Sequence, residues 1–291
     1  MKIKKILSLA LVSALFFLSS CKPQQTPPEK PVANLGSAKI LDGKTVVVSI
    51  FANDYVCEWD FTKEEDIKTR ERAVSNITAA LDYITAESHK WGKNAEFIHN
   101  WEENPDLFAQ RNLPIEASNF EFYSTKYIKM TLENTFDSDA LLEKYDADNI
   151  FYLFIFNTPP DHLGSPYAVN SIVYDTHTIE SCVINLTFEE MEITATEIAH
   201  EILHLFGAID CYQPDRDFGV TEEYVEYCRE NHPNEIMFVT QDGIGTFENN
   251  KITAELGEIT AYYVGWTDYS EEADRFGTIP SEHVSSETIT E

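Results

Sequence analysis

Basic residues are scarce in this chain: 21 lysines and arginines face 50 aspartates and glutamates across 291 residues, giving a formal charge of −29. Such a surface repels phosphate backbones and anionic lipid heads, which argues against nucleic acid as a partner. Long apolar runs are missing too. The run from Ile6 to Leu18 spans 13 residues, short of the ~20 that a bilayer-crossing helix requires. No two cysteines stand in a Cys-x-x-Cys arrangement, so a thiolate metal site is not expected. No internal repeat is visible, and one folded domain is expected after the amino-terminal segment.

That segment has a pattern of its own. Lys2, Lys4 and Lys5 precede the apolar run, which ends at Leu18-Ser19-Ser20-Cys21. This is a secretory signal peptide over 1–20 with a lipoprotein-type cleavage box, and Cys21 becomes the expected lipidated first residue. Residues 21–37 are polar and carry Pro23, Pro27, Pro28 and Pro31, a composition that resists packing and behaves as an extended tether. The resemblance to bacterial lipoproteins implies a membrane-anchored protein outside the cytoplasm. By the same resemblance, Lys22 after the cysteine implies the outer membrane or cell surface rather than the inner membrane. Removing 1–20 takes away three lysines and no acid, so the mature charge is −32.

The chemistry concentrates in Thr194 to Asp210, which reads Thr-Ala-Thr-Glu-Ile-Ala-His-Glu-Ile-Leu-His-Leu-Phe-Gly-Ala-Ile-Asp. On a helix, His200 and His204 sit about 40° apart around the axis and roughly 6 Å along it, so both imidazoles reach one metal ion. Glu201 between them is placed to take a proton from a water at that metal. In a chain of this composition His-Glu-x-x-His arises by chance about 0.02 times. Gly207 suits the left-handed position that ends a helix, and the turn it makes brings Asp210 back toward the histidines as a third ligand.

His200, Glu201, His204, Gly207 and Asp210 together resemble the metzincin zinc metalloproteases, in the smaller snapalysin-like group whose motif ends in Asp. The resemblance implies a zincin-like α/β (α+β) fold: a mixed twisted sheet, long helices and a metal-binding active-site helix. It implies one catalytic zinc ion held by His200, His204 and Asp210, with Glu201 as general base. It also places a methionine turn beneath the metal, for which Asn234-Glu235-Ile236-Met237-Phe238 offers Met237. The tyrosine that follows this turn in some metzincins is replaced by Phe238-Val239-Thr240, leaving Tyr212, Tyr262 and Tyr263 as candidate oxyanion donors. A thermolysin-like alternative puts the third ligand on a later helix at Glu222 or Glu223. The remaining histidines, His89, His99, His162, His177, His232 and His283, lack ligand spacing.

The activity implied is a zinc endopeptidase acting on extracytoplasmic proteins or peptides. Alternatives are a zinc hydrolase of a narrow cell-wall or glycopeptide substrate, and a non-catalytic surface-binding lipoprotein. A monomer is expected.

The catalytic domain is expected over 38–267, with an acidic, frayed tail over 268–291. Thr45 to Phe51 reads as a buried strand. A helix follows from a Thr62/Glu65 capping box, with Ile67, Val74, Ile77, Leu81 and Ile84 at helical spacing toward Trp91. Ala95–Trp101, Phe120–Ile128, Asn149–Asn157, Ser171–Asp175 and Cys182–Leu186 read as further strands. By the metzincin resemblance, Ser171 to Tyr174 or its neighbours form an edge strand that pairs with substrate. Ile252 to Trp266 reads as a closing helix. Cys57, Cys182, Cys211 and Cys228 allow two disulfides in an oxidising compartment. Cys211–Cys228 is the first choice, closing an 18-residue loop worth roughly 3 kcal/mol in the chain-entropy model.

Overall fold

Residues 40–277 are described by a computed structural model, apart from 101, 115, 117, 119–121, 170–179, 215–219 and 240–249. All lie in the larger of two compact units, Pro31–Glu291. The signal peptide, Cys21, the tether, Ser171–Asp175, His177 and His283 fall outside the described residues.

The β-branched run after Gly43 forms β1 (Gly43–Asn53), and the aromatic-aliphatic run of β4 (Asn149–Phe156) lies parallel to it from Thr45↔Asn149 to Ala52↔Phe156. Every residue of β4 is buried, as a central strand covered on both faces must be. β2 (Ala95–Ile98) and β3 (Phe108–Asn112) run parallel to the first and second halves of β1. On the other side β6 (Glu180–Asn185) runs parallel to β4, and β5 (Tyr167–Val169) closes the sheet antiparallel to β6. The order is β2-β1-β4-β6-β5, with β3 beside β1.

Alternate residues feed two cores. Val47, Phe51, Phe151, Leu153, Ile155, Cys182 and Ile184 face one side. Val46, Val48, Ile50, Ile150, Tyr152, Phe154 and Val183 face the other. The first face is covered by α1 (Glu64–Lys90), which buries Ala73, Ile77, Ala80, Leu81 and Ile84. The second receives Ile128 and Leu132 of α2 (Phe122–Thr135) and Leu141 of α3 (Ser138–Tyr145). The mixed α/β class expected from sequence is therefore present, with a sheet that is mostly parallel.

Several local expectations are corrected. From Phe122 on, the expected strand Phe120–Ile128 is instead the start of α2, whose buried Ile128 and Leu132 stand four apart, the helical interval. Thr62 does not cap α1. Its hydroxyl and amide both donate to Asp60, and Lys63 occupies the cap position with no side-chain bond. Between β6 and the histidine helix lies a hairpin, β7 (Thr187–Phe188) and β8 (Met191–Glu192), whose turn residues Glu189 and Glu190 have φ of 48° and 66°.

The histidine helix, α4 (Ala195–Leu205), packs against α1, β5 and β6. Beyond it come α5 (Glu222–Asn231), α6 (Glu258–Tyr263) and α7 (Glu271–Phe276). The closing helix is thus only six residues long. Its expected first turn is extended instead, because Glu255 bridges to the Asn234–Ile236 turn. The described part of the expected frayed tail, Asp268–Gly277, is structured. Ser270 caps α7 by accepting from the Ala273 amide, and Glu272 receives hydrogen bonds from Tyr227 and His232. Glu271 and Glu272 favour the helix by standing in its first turn, near the positive end of its dipole. No helix among the described residues is long and apolar enough to cross a membrane.

Candidate metal centre

Two anchors set the start of α4. Buried Asn76 of α1 donates to the Ile193 carbonyl at 3.0 Å, and the Glu197 carboxylate accepts from the Thr194 amide at 3.2 Å. The other end is a Schellman turn. The Gly207 amide donates to the His204 carbonyl at 3.1 Å and the Ala208 amide to the Leu203 carbonyl at 3.2 Å, with Gly207 at φ 98°. The chain then doubles back, so that Asp210, 2% exposed, stands beside both histidines.

His200 Nε2 lies 3.0 Å from Asp210 Oδ1, His204 Nε2 lies 3.2 Å from the same oxygen, and the two nitrogens are 3.1 Å apart. The far side of each ring is fixed. His200 Nδ1 donates to the Ile236 carbonyl at 2.9 Å and His204 Nδ1 to the Ala208 carbonyl at 2.8 Å. Carbonyls only accept, so each Nδ1 carries a proton and each neutral ring turns an Nε2 lone pair inward. Two Nε2 atoms and a carboxylate oxygen thus converge within a triangle of van der Waals contact, an arrangement that repels itself unless a cation sits within it or an Nε2 proton is donated to Asp210. These three residues form a group that could hold a metal ion. A tetrahedral ion with bonds of ~2.0–2.1 Å needs ligand atoms about 3.3 Å apart, which these atoms nearly satisfy. Two imidazoles and one carboxylate suit a first-row transition ion rather than calcium or magnesium, which take oxygen ligands.

The electrostatics follow from this crowding. Burial alone raises the Asp210 carboxyl, but hydrogen bonds from His200 and His204 hold it far below the ordinary carboxylate range. Burial also opposes charge on His204, yet the hydrogen bond and charge of Asp210, with a smaller effect from Glu201, raise it to about 9. Asp210 Oδ2 accepts from the Tyr212 hydroxyl at 3.3 Å, which leaves Oδ1 to the histidines. Burial pushes Glu197 up to about 8, against its bond from Thr194, and Glu201 adds to the rise.

The structure brings His200, His204 and Asp210 together, with half-buried Glu201 on the same helix. Glu222 and Glu223, the later-helix alternative, are exposed on α5 and are not part of this group. Met237 is fully buried in the main core, and its turn touches the site through Ile236. Of the three tyrosines, Tyr212 bonds Asp210, while Tyr262 and Tyr263 are buried in α6. His89, His99, His162 and His232 bond to Asn94, Phe97, Ser118 and Glu272.

All four described cysteines are buried free thiols. Cys211 and Cys228 adjoin through a side-chain hydrogen bond, whereas Cys57 and Cys182 belong to the cores on opposite faces of the sheet and are not a pair.

Sequence reasoning missed Asn76, Glu197 and the carbonyls of Ala208 and Ile236. Only Glu197 had a signal, standing three residues after Thr194 as a capping box does.

Fold and centre together define a mostly parallel α/β protein carrying a buried His-His-Asp group able to take a metal ion. No family model matches the chain, and no curated protein matches it.

Proposed function

We propose that this protein is a zinc-dependent endopeptidase of metzincin type, anchored outside the cytoplasm through Cys21. The carrying observation is the inward convergence of His200 Nε2, His204 Nε2 and Asp210 Oδ1 at 3.0–3.2 Å, with both Nδ1 protons committed to backbone carbonyls. Held by His200, His204 and Asp210, a zinc ion would supply a Lewis acid able to acidify a water and polarise a carbonyl.

The chain's own residues do the rest. Glu201, one residue after His200 and three before His204, accepts the proton of the attacking water and returns it to the leaving amine. Tyr212 steadies Asp210 and stands within reach of the site's edge, its ring centre 6.2 Å from that of His200. Its one hydroxyl proton is donated to Asp210, so the role it takes here is to orient that carboxylate. Among the described residues β5 is the terminal strand of the sheet and packs against α4. Strand addition of an extended substrate peptide is proposed at this end of the sheet, beside the metal helix.

The test is cleavage of a diverse peptide library by the zinc-loaded protein beside Glu201→Gln. Loss of a general base costs 10²–10⁴-fold in rate, so cuts should disappear in the variant while zinc content stays at one ion per chain. Cuts of equal rate in both proteins sink the assignment, and absence of cuts in both moves the activity to a narrow non-protein substrate.

A further inference from the structure

The turn Asn234–Val239 is bonded in five directions. Its Ile236 carbonyl accepts from His200 Nδ1 at 2.9 Å, and its Met237 carbonyl accepts from the Cys211 amide, next to ligand Asp210, also at 2.9 Å. The Ile236 amide donates to the Glu255 carbonyl at 2.7 Å, and the Glu255 amide donates back to the Asn234 carbonyl at 2.8 Å. The fifth bond set belongs to the side chain of Glu235, which is 3% exposed. Its Oε1 accepts from the Thr260 hydroxyl at 2.6 Å, and its Oε2 accepts from the Gly257 amide. The Met237 amide donates to the same carboxylate.

We propose that Glu235 is the positioning residue of the metal centre, clamping the turn that aims His200 and Asp210 to the start of α6; this rests on the metal-centre reading above. The clamp explains two costs in the chain. A buried carboxylate is expensive, and an apolar side chain could fill the same space without it. Burial indeed pushes Glu235 up to about 7, although hydrogen bonds from Thr260, Gly257 and Met237 oppose the rise. The second cost is a glycine at 257. Its φ of −84° is open to any residue, yet a Cβ there would stand 2.5 Å from Glu235 Oε2. The close contact is with the carboxylate rather than with backbone, so a Cβ at 257 acts by displacing Glu235.

The geometry gives Glu235 a specific reach. It touches neither imidazole nor Asp210. Its carboxylate bonds the Met237 amide, one residue after the carbonyl that holds His200 and in the residue whose carbonyl holds Cys211. Freeing it lets both supports drift together, so the lesion is in metal affinity and geometry more than in folding. Partners that orient metal ligands are typically worth 10–100-fold in affinity.

The experiment is titration of the full chain with cobalt(II), following the visible d–d bands, alongside thermal melting. Wild type should bind one ion. Glu235→Ala and Gly257→Ala should each weaken binding about tenfold with altered band intensities. Thr260→Val, which removes a single hydrogen bond and little volume, should weaken it less and remains informative if the larger changes impair folding. Because Gly257→Ala acts by displacing Glu235, the double variant should bind no more weakly than Glu235→Ala alone. Affinities within twofold of wild type in folded Gly257→Ala and Thr260→Val, or additive losses in the double variant, overturn the clamp. A wild-type chain that binds no cobalt, with His200→Ala indistinguishable from it, overturns the metal centre itself.

Discussion

The two histidines share a helix but not a means of support. His204 is held by a carbonyl four residues away, at the end of its own helix, while His200 is held by one 36 residues away. The local support is made by Gly207, whose left-handed backbone closes the helix and turns Ala208 and Asp210 inward. The remote support is made by the Asn234–Val239 turn and has to be delivered by the tertiary fold, through Glu255, Gly257 and Thr260. A helix end can be assembled by a short stretch of chain; a turn aimed from far along the chain needs the finished core around it.

Removing the residue that joins both supports should give the largest effect. Asp210 faces each histidine and is followed by Cys211, whose amide is bonded to the remote turn. Asp210→Ala should therefore cost more than the 10–100-fold of an orienting partner, about a hundredfold or more in zinc affinity by competition with a chromophoric chelator. Near-normal binding would remove Asp210 from the ligand set and leave the contrast between the two supports without a common object.

A pH titration separates the supports next. Without a cation in the group, Asp210 keeps a proton on His204 up to about pH 9, well above the ordinary imidazole value near 6.5. An incoming metal must displace that proton, so apparent affinity should rise with pH, by at most tenfold per unit, and level off above about 9. Calorimetry in buffers of different ionisation enthalpy should show about one proton released per ion at pH 7. Affinity that is flat between pH 6 and 9 would mean that Asp210 does not hold His204 charged.

The same local–remote division explains what could be read from the sequence. His200, His204, Gly207 and Asp210 were legible because their meaning lies in spacing along one helix and one turn. β1 and β4 were legible because runs such as Val46-Val47-Val48 and Ile150 to Phe156 leave few alternatives to a buried strand. The Ile236 carbonyl was not, since a backbone group carries no residue signature. Glu235 was not, because one more acid in a chain with 50 of them signals nothing. The start of α2 was misread for a different reason: tyrosine and isoleucine favour strands, but Ile128 and Leu132 bury one helical face, and packing overrides propensity. α7 was hidden by acidic composition that, at the start of a helix, is stabilising.

The smallest expected effect is the one that tests whether the local support is as independent as its short span implies. Gly207 has φ 98°, a conformation in which a Cβ is strained. Gly207→Ala should cost about 1–2 kcal/mol, lowering the melting temperature by about 2–8 °C for a domain of this size. If the helix end alone sets His204, the strain should also loosen its Ala208 partner and weaken metal binding, while the His200–Ile236 bond survives. Imidazole Nδ1–H resonances in the zinc-loaded protein read the two supports separately. Broadening confined to His204 supports independent holds. Equal broadening at both rings would show that the Cys211–Met237 bond couples the helix end to the distant turn, making the centre one unit rather than two.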